Sequence, residues 1–81
     1  MEYGSDAIEI HKDALRATDK VLIVDDVLAT GGTLSAAIEL LSMTPAKCLG
    51  SAVVAEISFL AGRERVRRAF PAHRIDALFQ L

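Results

Sequence analysis

The hydrophobic pattern changes its period several times along the chain. Val21-Leu22-Ile23-Val24 is an unbroken apolar run after the polar turn Ala17-Thr18-Asp19-Lys20. It predicts a strand covered on both faces, as in the parallel sheet of an α/β domain. Leu34, Ala37, Ile38 and Leu41 then recur at helical spacing from about Thr33 to Met43, with Ser35, Glu39 and Ser42 mostly on other faces. This predicts a helix packed on the sheet and ended by Pro45. Cys48 to Ile57 contains a second apolar strand, centred on Ala52-Val53-Val54-Ala55. Strand, helix, strand in this order implies a right-handed parallel crossover. Ser58 to Arg68 reads as a loop and short helix. From Arg74 to Leu81, Ile75, Ala77 and Phe79 alternate with Asp76, Leu78 and Gln80, which predicts a third strand. At the front, Glu2 to Asp6 has a turn composition, and Ile8-Glu9-Ile10-His11 suits a brief strand or hairpin arm.

Composition narrows the class. With 81 residues, 52% hydrophobic and 5% aromatic, the chain has room for one small domain with an aliphatic core. A net charge of −2 gives no reason to expect nucleic acid or an anionic membrane as partner. No apolar run approaches the ~18 residues of a membrane span and no signal-peptide pattern opens the chain, so a cytoplasmic address is expected. A lone cysteine, Cys48, forms no intrachain disulfide, and two histidines give no zinc-type spacing. Cys48 reads as a small residue buried beside the second strand. His11 and Lys12 read as solvated, His73 as a loop residue, and Arg63, Arg65, Arg67 and Arg68 as a solvated basic face without interleaved aromatics. Glu56, near the end of the second strand, either faces the site from behind or caps the strand, and is left out of the site.

The candidate chemistry sits after the first strand. Asp25 and Asp26 fall at its carboxyl end, where open α/β sheets place ligands. Thr30-Gly31-Gly32-Thr33 then offers two hydroxyls and two residues that admit a ligand close to the backbone, just ahead of the helix. A helix N-terminus has unpaired N–H groups and partial positive charge, which suits a phosphate monoester. Paired carboxylates suit sugar hydroxyls, or a divalent metal held directly or through its waters. A ligand with a phosphate, a diol and a metal-bound pyrophosphate would use all of these groups, and phosphorylated ribose is one.

These residues resemble the type I phosphoribosyltransferases, whose signature is a hydrophobic strand, an acidic pair, a short spacer and Thr-Gly-Gly-Thr. The flanks Glu2 to Asp6, Glu9 to Ala14, Leu28-Ala29-Thr30 and Gly62-Arg63-Glu64-Arg65 are similar to the adenine phosphoribosyltransferase branch of that family. The resemblance implies a partial phosphoribosyltransferase core of about three parallel strands, with residues 1–16 a lid segment and 20–81 the sugar-phosphate-binding core. It implies that Tyr3 shields the substrate and Glu2 lies near the purine as a proton donor. Asp25, Asp26, Ala29, Thr30, Gly31, Gly32 and Thr33 would bind substrate. The implied reaction joins adenine to phosphoribosyl pyrophosphate, giving AMP and pyrophosphate, with Mg²⁺ as cofactor. Thr44-Pro45-Ala46-Lys47 departs from the glycines common in the family at that turn.

Against the family pattern the chain begins where the lid begins. The expectation is a truncated form that holds ribose 5-phosphate and either self-associates or pairs with a complementing N-terminal segment. The alternatives are a non-catalytic nucleotide-binding or regulatory module of the same fold, and a receiver-like signalling domain. The receiver reading needs a phosphorylatable aspartate where Glu56 stands, and it lacks the following Lys-Pro. A nucleoside-triphosphatase reading lacks its glycine-lysine phosphate loop.

Overall fold

A computed structural model describes residues 14–81. Glu2, Tyr3, His11, Lys12 and the hairpin expected over residues 8–11 lie outside the described residues. Three parallel strands make one sheet in the order β1, β2, β3, with β1 at Lys20–Leu28, β2 at Lys47–Glu56 and β3 at Ile75–Gln80. Helix α1, Gly32–Ser42, joins the first two strands; a 3₁₀ turn, Ser58–Leu60, and helix α2, Gly62–Ala69, join the last two. The α/β architecture and all three strands match the sequence expectation. The entry turn is closed by Asp19, whose amide donates to the Arg16 carbonyl (3.0 Å) while its carboxylate accepts from the Arg16 amide (2.8 Å). No helix among the described residues is long and apolar enough to cross a membrane.

The alternation of each strand decides which side is buried. A right-handed crossover repeated twice in the same direction puts both helices on one face of the sheet. There Leu34 and Ile38 of α1 and Val66 of α2 meet Leu28, Val53 and Ile75 of the strands, with Ile23, Phe70 and Ala77 packed around them. The expectation that β1 is covered on both faces is corrected here. Val24 pairs with Ala52, and Ala52 with Asp76. On this second face Leu22, Val24, Val54 and Leu78 are 52%, 68%, 47% and 76% exposed. The apolar run was read correctly as a strand, but no described element covers its far side.

Two boundaries differ from the sequence expectation for local reasons. Strand β1 continues past the acidic pair, because Val27 and Leu28 still pair with Ala55 and Glu56. Helix α1 ends at Ser42, before Pro45: the Met43 and Thr44 amides donate to the Leu40 and Leu41 carbonyls, and the Thr44 hydroxyl also donates to Leu41 (2.7 Å). Cys48 lies within β2 and is half-buried.

The solvated reading of the basic run fails at Arg63. Its Nε lies 3.1 and 3.2 Å from the two Glu56 carboxylate oxygens, and its Nη2 is 2.8 Å from Oε1. Its Nη1 donates to the Ile75 carbonyl at 2.8 Å. Glu56 is only 5% exposed, so its charge needs this partner. The fork ties the end of β2 and the start of β3 to the first turn of α2. Arg63's hydrogen bonds hold the Glu56 carboxyl below its ordinary value despite burial, which acts the other way. Ala61, just before α2, turns the chain with φ 54°, the left-handed conformation that non-glycine residues seldom adopt.

The two faces of the sheet should respond differently to substitution. Leu34→Ala is expected to destabilise the chain by about 2–5 kcal/mol, whereas Val24→Lys should change stability by less than about 0.5 kcal/mol, both measured by urea unfolding. Glu56→Gln keeps shape but removes the charge. Its expected loss at neutral pH lies between the ~1 kcal/mol of a surface pair and the ~3–5 kcal/mol of a buried one. Because the folded Glu56 pKa is depressed, its contribution is present above 4.5 and disappears as pH falls through the folded value. Unfolding curves from pH 7 to 3 should therefore converge for parent and variant at the acid end.

Candidate functional site

After Leu28 the chain leaves the sheet, bends at Ala29 and Thr30, and enters α1 through Gly31. Gly31 has φ 88°, and its carbonyl accepts the first helical hydrogen bond, from the Ser35 amide at 2.9 Å. The amides of Gly32, Thr33 and Leu34 precede that bond, and no side chain caps the helix. Ser, Thr, Asp and Asn are the residues whose side chains cap helix N-termini, but here the cap is a glycine. The first turn is therefore left as a set of free donors at the positive end of a helix.

These donors open into a small cleft of about 60 Å³, several times what one water needs. Asp25, Ala29, Thr30, Gly31, Gly32 and Thr33 all line it, with Val27, Leu28, Leu34 and Val53 behind. Of the described residues picked from sequence, Asp26 alone is not in the lining; it is exposed. Its amide donates to the Asp25 carboxylate at 2.8 Å. Burial raises the Asp25 pKa; the Asp26 amide opposes that rise, and the Asp26 carboxylate adds to it. Asp25 is thus a carboxylate short of stabilising partners, facing a cleft that could supply them.

The loop rests on the start of α2. A methyl group built on Gly31 would come within 2.6 Å of the Gly62 carbonyl, and one built on Gly62 would collide with the Ala29 carbonyl. Two backbones pass where no side chain fits. The Arg63–Glu56 fork follows at once and fixes that approach. Gly62, Arg63 and Glu56 thus support the loop, a role the sequence reading left open for Glu56 and missed for Gly62 and Arg63. The available signal was the spacing: a glycine next to an arginine, seven residues after a glutamate at a strand end.

A larger cavity, about 310 Å³, opens between α2 and the start of β3, lined in part by Arg63, Arg67, His73 and Arg74. It shares no residue with the loop, and Arg63 and Arg74 are already paired with Glu56 and Asp76. Its His73 accepts or donates a 2.9 Å hydrogen bond with buried Ser51, and burial lowers its pKa. Among the described residues no three His, Cys, Asp or Glu side chains converge on a metal position.

Residues 2–76 match the phosphoribosyl transferase domain family. The chain is 49% identical over its whole length to an adenine phosphoribosyltransferase of Streptomyces galbus, of which it covers 44%. The adenine phosphoribosyltransferase of Rhodothermus marinus superposes on the whole chain with a TM-score of 0.83 at 43% identity, and the chain covers 44% of it. That of Saccharomyces cerevisiae, complexed with an imino-altritol bisphosphate and adenine, matches 85% of the chain at 38% identity and a TM-score of 0.74; 38% of it is covered. The chain thus spans less than half the length of these relatives. With the family shown, the receiver and nucleoside-triphosphatase readings fall away. A parallel β–α–β unit with a glycine-capped helix at its carboxyl end and a match over nearly its full length place the chain in the phosphoribosyl transferase domain family.

Proposed function

We propose that the chain forms the sugar-phosphate half of an adenine phosphoribosyltransferase site, working in purine salvage in the cytoplasm. The observation that carries this reading is the cleft that brings Asp25 together with the uncapped turn Gly32–Leu34 and the hydroxyls of Thr30 and Thr33. A 5′-phosphate accepts hydrogen bonds from those amides and hydroxyls. Asp25 accepts from a ribose hydroxyl, and Asp26 holds the second carboxylate of the pair beside it. This supplies position: the sugar is anchored at its phosphate and diol while its anomeric carbon stays free to react.

In the proposed reaction the bond from the anomeric carbon to pyrophosphate breaks as the bond to adenine forms. Charge separates, with the ribose gaining positive and the leaving group negative character. Mg²⁺ fits the donor set as an ion held by water through Asp25 and Asp26 and by the ligand's own phosphates, and when bound it would neutralise the leaving pyrophosphate. The Asp25 pKa is raised chiefly by burial and less by the Asp26 carboxylate, and a nearby cation would offset both. Glu2 and Tyr3, outside the described residues, belong to this proposal as the lid residues implied by resemblance. The base pocket needs groups beyond the strands described, so the reading includes a second copy or a complementing N-terminal segment, laid against the apolar face that carries Val24 and Leu78. A non-catalytic module of the same family would share the sugar-phosphate cleft and differ in turnover.

Calorimetric titration of the chain with ribose 5-phosphate and Mg²⁺ tests the reading. Thr30→Ala should weaken binding by about 3–10-fold, the worth of one hydrogen bond. Asp25→Asn should weaken it further and at the same time stabilise the free chain at pH 7. The raised folded pKa means that ionising Asp25 opposes folding increasingly as pH rises from 3.8 through the folded value, so the gain should vanish below 3.8, where Asp25 is protonated in both states. Failure of the parent chain to bind would overturn the proposal.

A further inference from the structure

Four arginines follow Gly62 within seven residues, and the fold gives them different surroundings. Arg63 is committed to Glu56 and the Ile75 carbonyl. Arg65, two residues on, turns toward the loop. A methyl group built on Gly32 would stand 3.4 Å from Arg65 Nη1, 3.8 Å from its Cζ and 3.7 Å from the Thr30 hydroxyl oxygen. The guanidinium therefore stands over the first residue of α1, at the rim of the cleft and beside one of its hydroxyls. Among the described residues no carboxylate pairs with it; the ion pairs there are Arg63–Glu56 and Arg74–Asp76. Arg65 is exposed, but its placement is constrained, because its helix is pinned two residues earlier by Arg63 and presses on the loop backbone through Gly62.

We infer that Arg65 is a further phosphate-binding residue, which closes over a phosphate monoester held by the 30–33 loop and supplies a full positive charge that no other described side chain brings there. The inference rests on the reading that this loop holds a phosphate. The backbone donors of the loop bring only partial charge, and Asp25 and Asp26 nearby repel a dianion. A guanidinium at the rim offsets that repulsion and adds charge-assisted hydrogen bonds, which are about twice as strong as neutral ones. It also discriminates between charge states. A phosphate monoester gains its second charge near pH 6, and a cation favours the dianion more than neutral amides do.

The test compares the parent chain with Arg65→Gln, Arg65→Lys and Arg68→Gln, titrated with ribose 5-phosphate, with ribose and with inorganic phosphate. Amide spectra of each variant check that the fold persists. Arg65→Gln should lose about tenfold in affinity for ribose 5-phosphate. It should also flatten the rise in affinity between pH 5 and 7 and reduce the dependence on salt. Arg65→Lys, which keeps a point charge, should recover most of the pH dependence, and Arg68→Gln should match the parent. Parent-like affinity and pH profile in Arg65→Gln would overturn the inference while leaving the phosphate reading intact. A parent chain that binds neither ribose 5-phosphate nor phosphate would overturn both.

Discussion

The Glu56–Arg63 fork is the interaction on which the site depends. It joins three pieces that no other side-chain hydrogen bond among the described residues joins: the end of β2, the start of β3 through the Ile75 carbonyl, and the first turn of α2. Remove the charge from Glu56 and α2 is held to the sheet by the single Arg63–Ile75 hydrogen bond and by Val66 and Phe70, apolar contacts that fix its depth better than its rotation about the contact. Rotation is what the loop needs controlled. Gly62 meets Ala29 and Gly31 backbone to backbone, at a separation that admits no side chain. An ion pair with three short contacts has the directional stiffness that hydrophobic packing lacks.

How far the sequence disclosed this differs from element to element, for physical reasons. The strands and α1 were legible because each announces its own period. Val21 to Val24 is an apolar run, Ile75 to Gln80 alternates, and Leu34, Ile38 and Leu41 follow a helical turn. The loop was legible as a cleft because its glycine and hydroxyl residues are contiguous in the chain, immediately ahead of the helix. The coverage of β1 was misread, since a run of apolar residues says that both faces suit burial and not that both are covered. The fork was missed because it joins residues seven apart across a turn. A four-arginine run has the same composition whether its members point into solvent or, like Arg63, into a carboxylate.

The bare sheet face follows from the same topology that builds the site. Two crossovers of one hand commit both helices to one side, and the loop lies at the carboxyl end of the strands on that side. Leu22, Val24, Val54 and Leu78 are left as an apolar surface on the other. Such a patch invites a covering partner, because water contact with contiguous aliphatic side chains carries a cost that burial removes. The site and its need for company are therefore two results of one chain path.

The site also opposes the fold that carries it. Asp25 is charged where burial and the Asp26 carboxylate both disfavour charge, against the Asp26 amide that favours it. Ala61 holds a left-handed conformation that costs about 1–2 kcal/mol in an L-residue. The first turn of α1 keeps its amides uncapped, forgoing about 1 kcal/mol that a serine or aspartate cap would contribute. In a chain of 81 residues, whose whole stability is on the order of 4–12 kcal/mol, three such features in one corner are a large concession. On the proposed reading, two of them become favourable when a phosphorylated sugar arrives: its hydroxyls give Asp25 the donors it lacks, and its phosphate occupies the open amides. Ligand binding and stability are then coupled through the same atoms, so the cleft is the part of the molecule with most to gain from being filled.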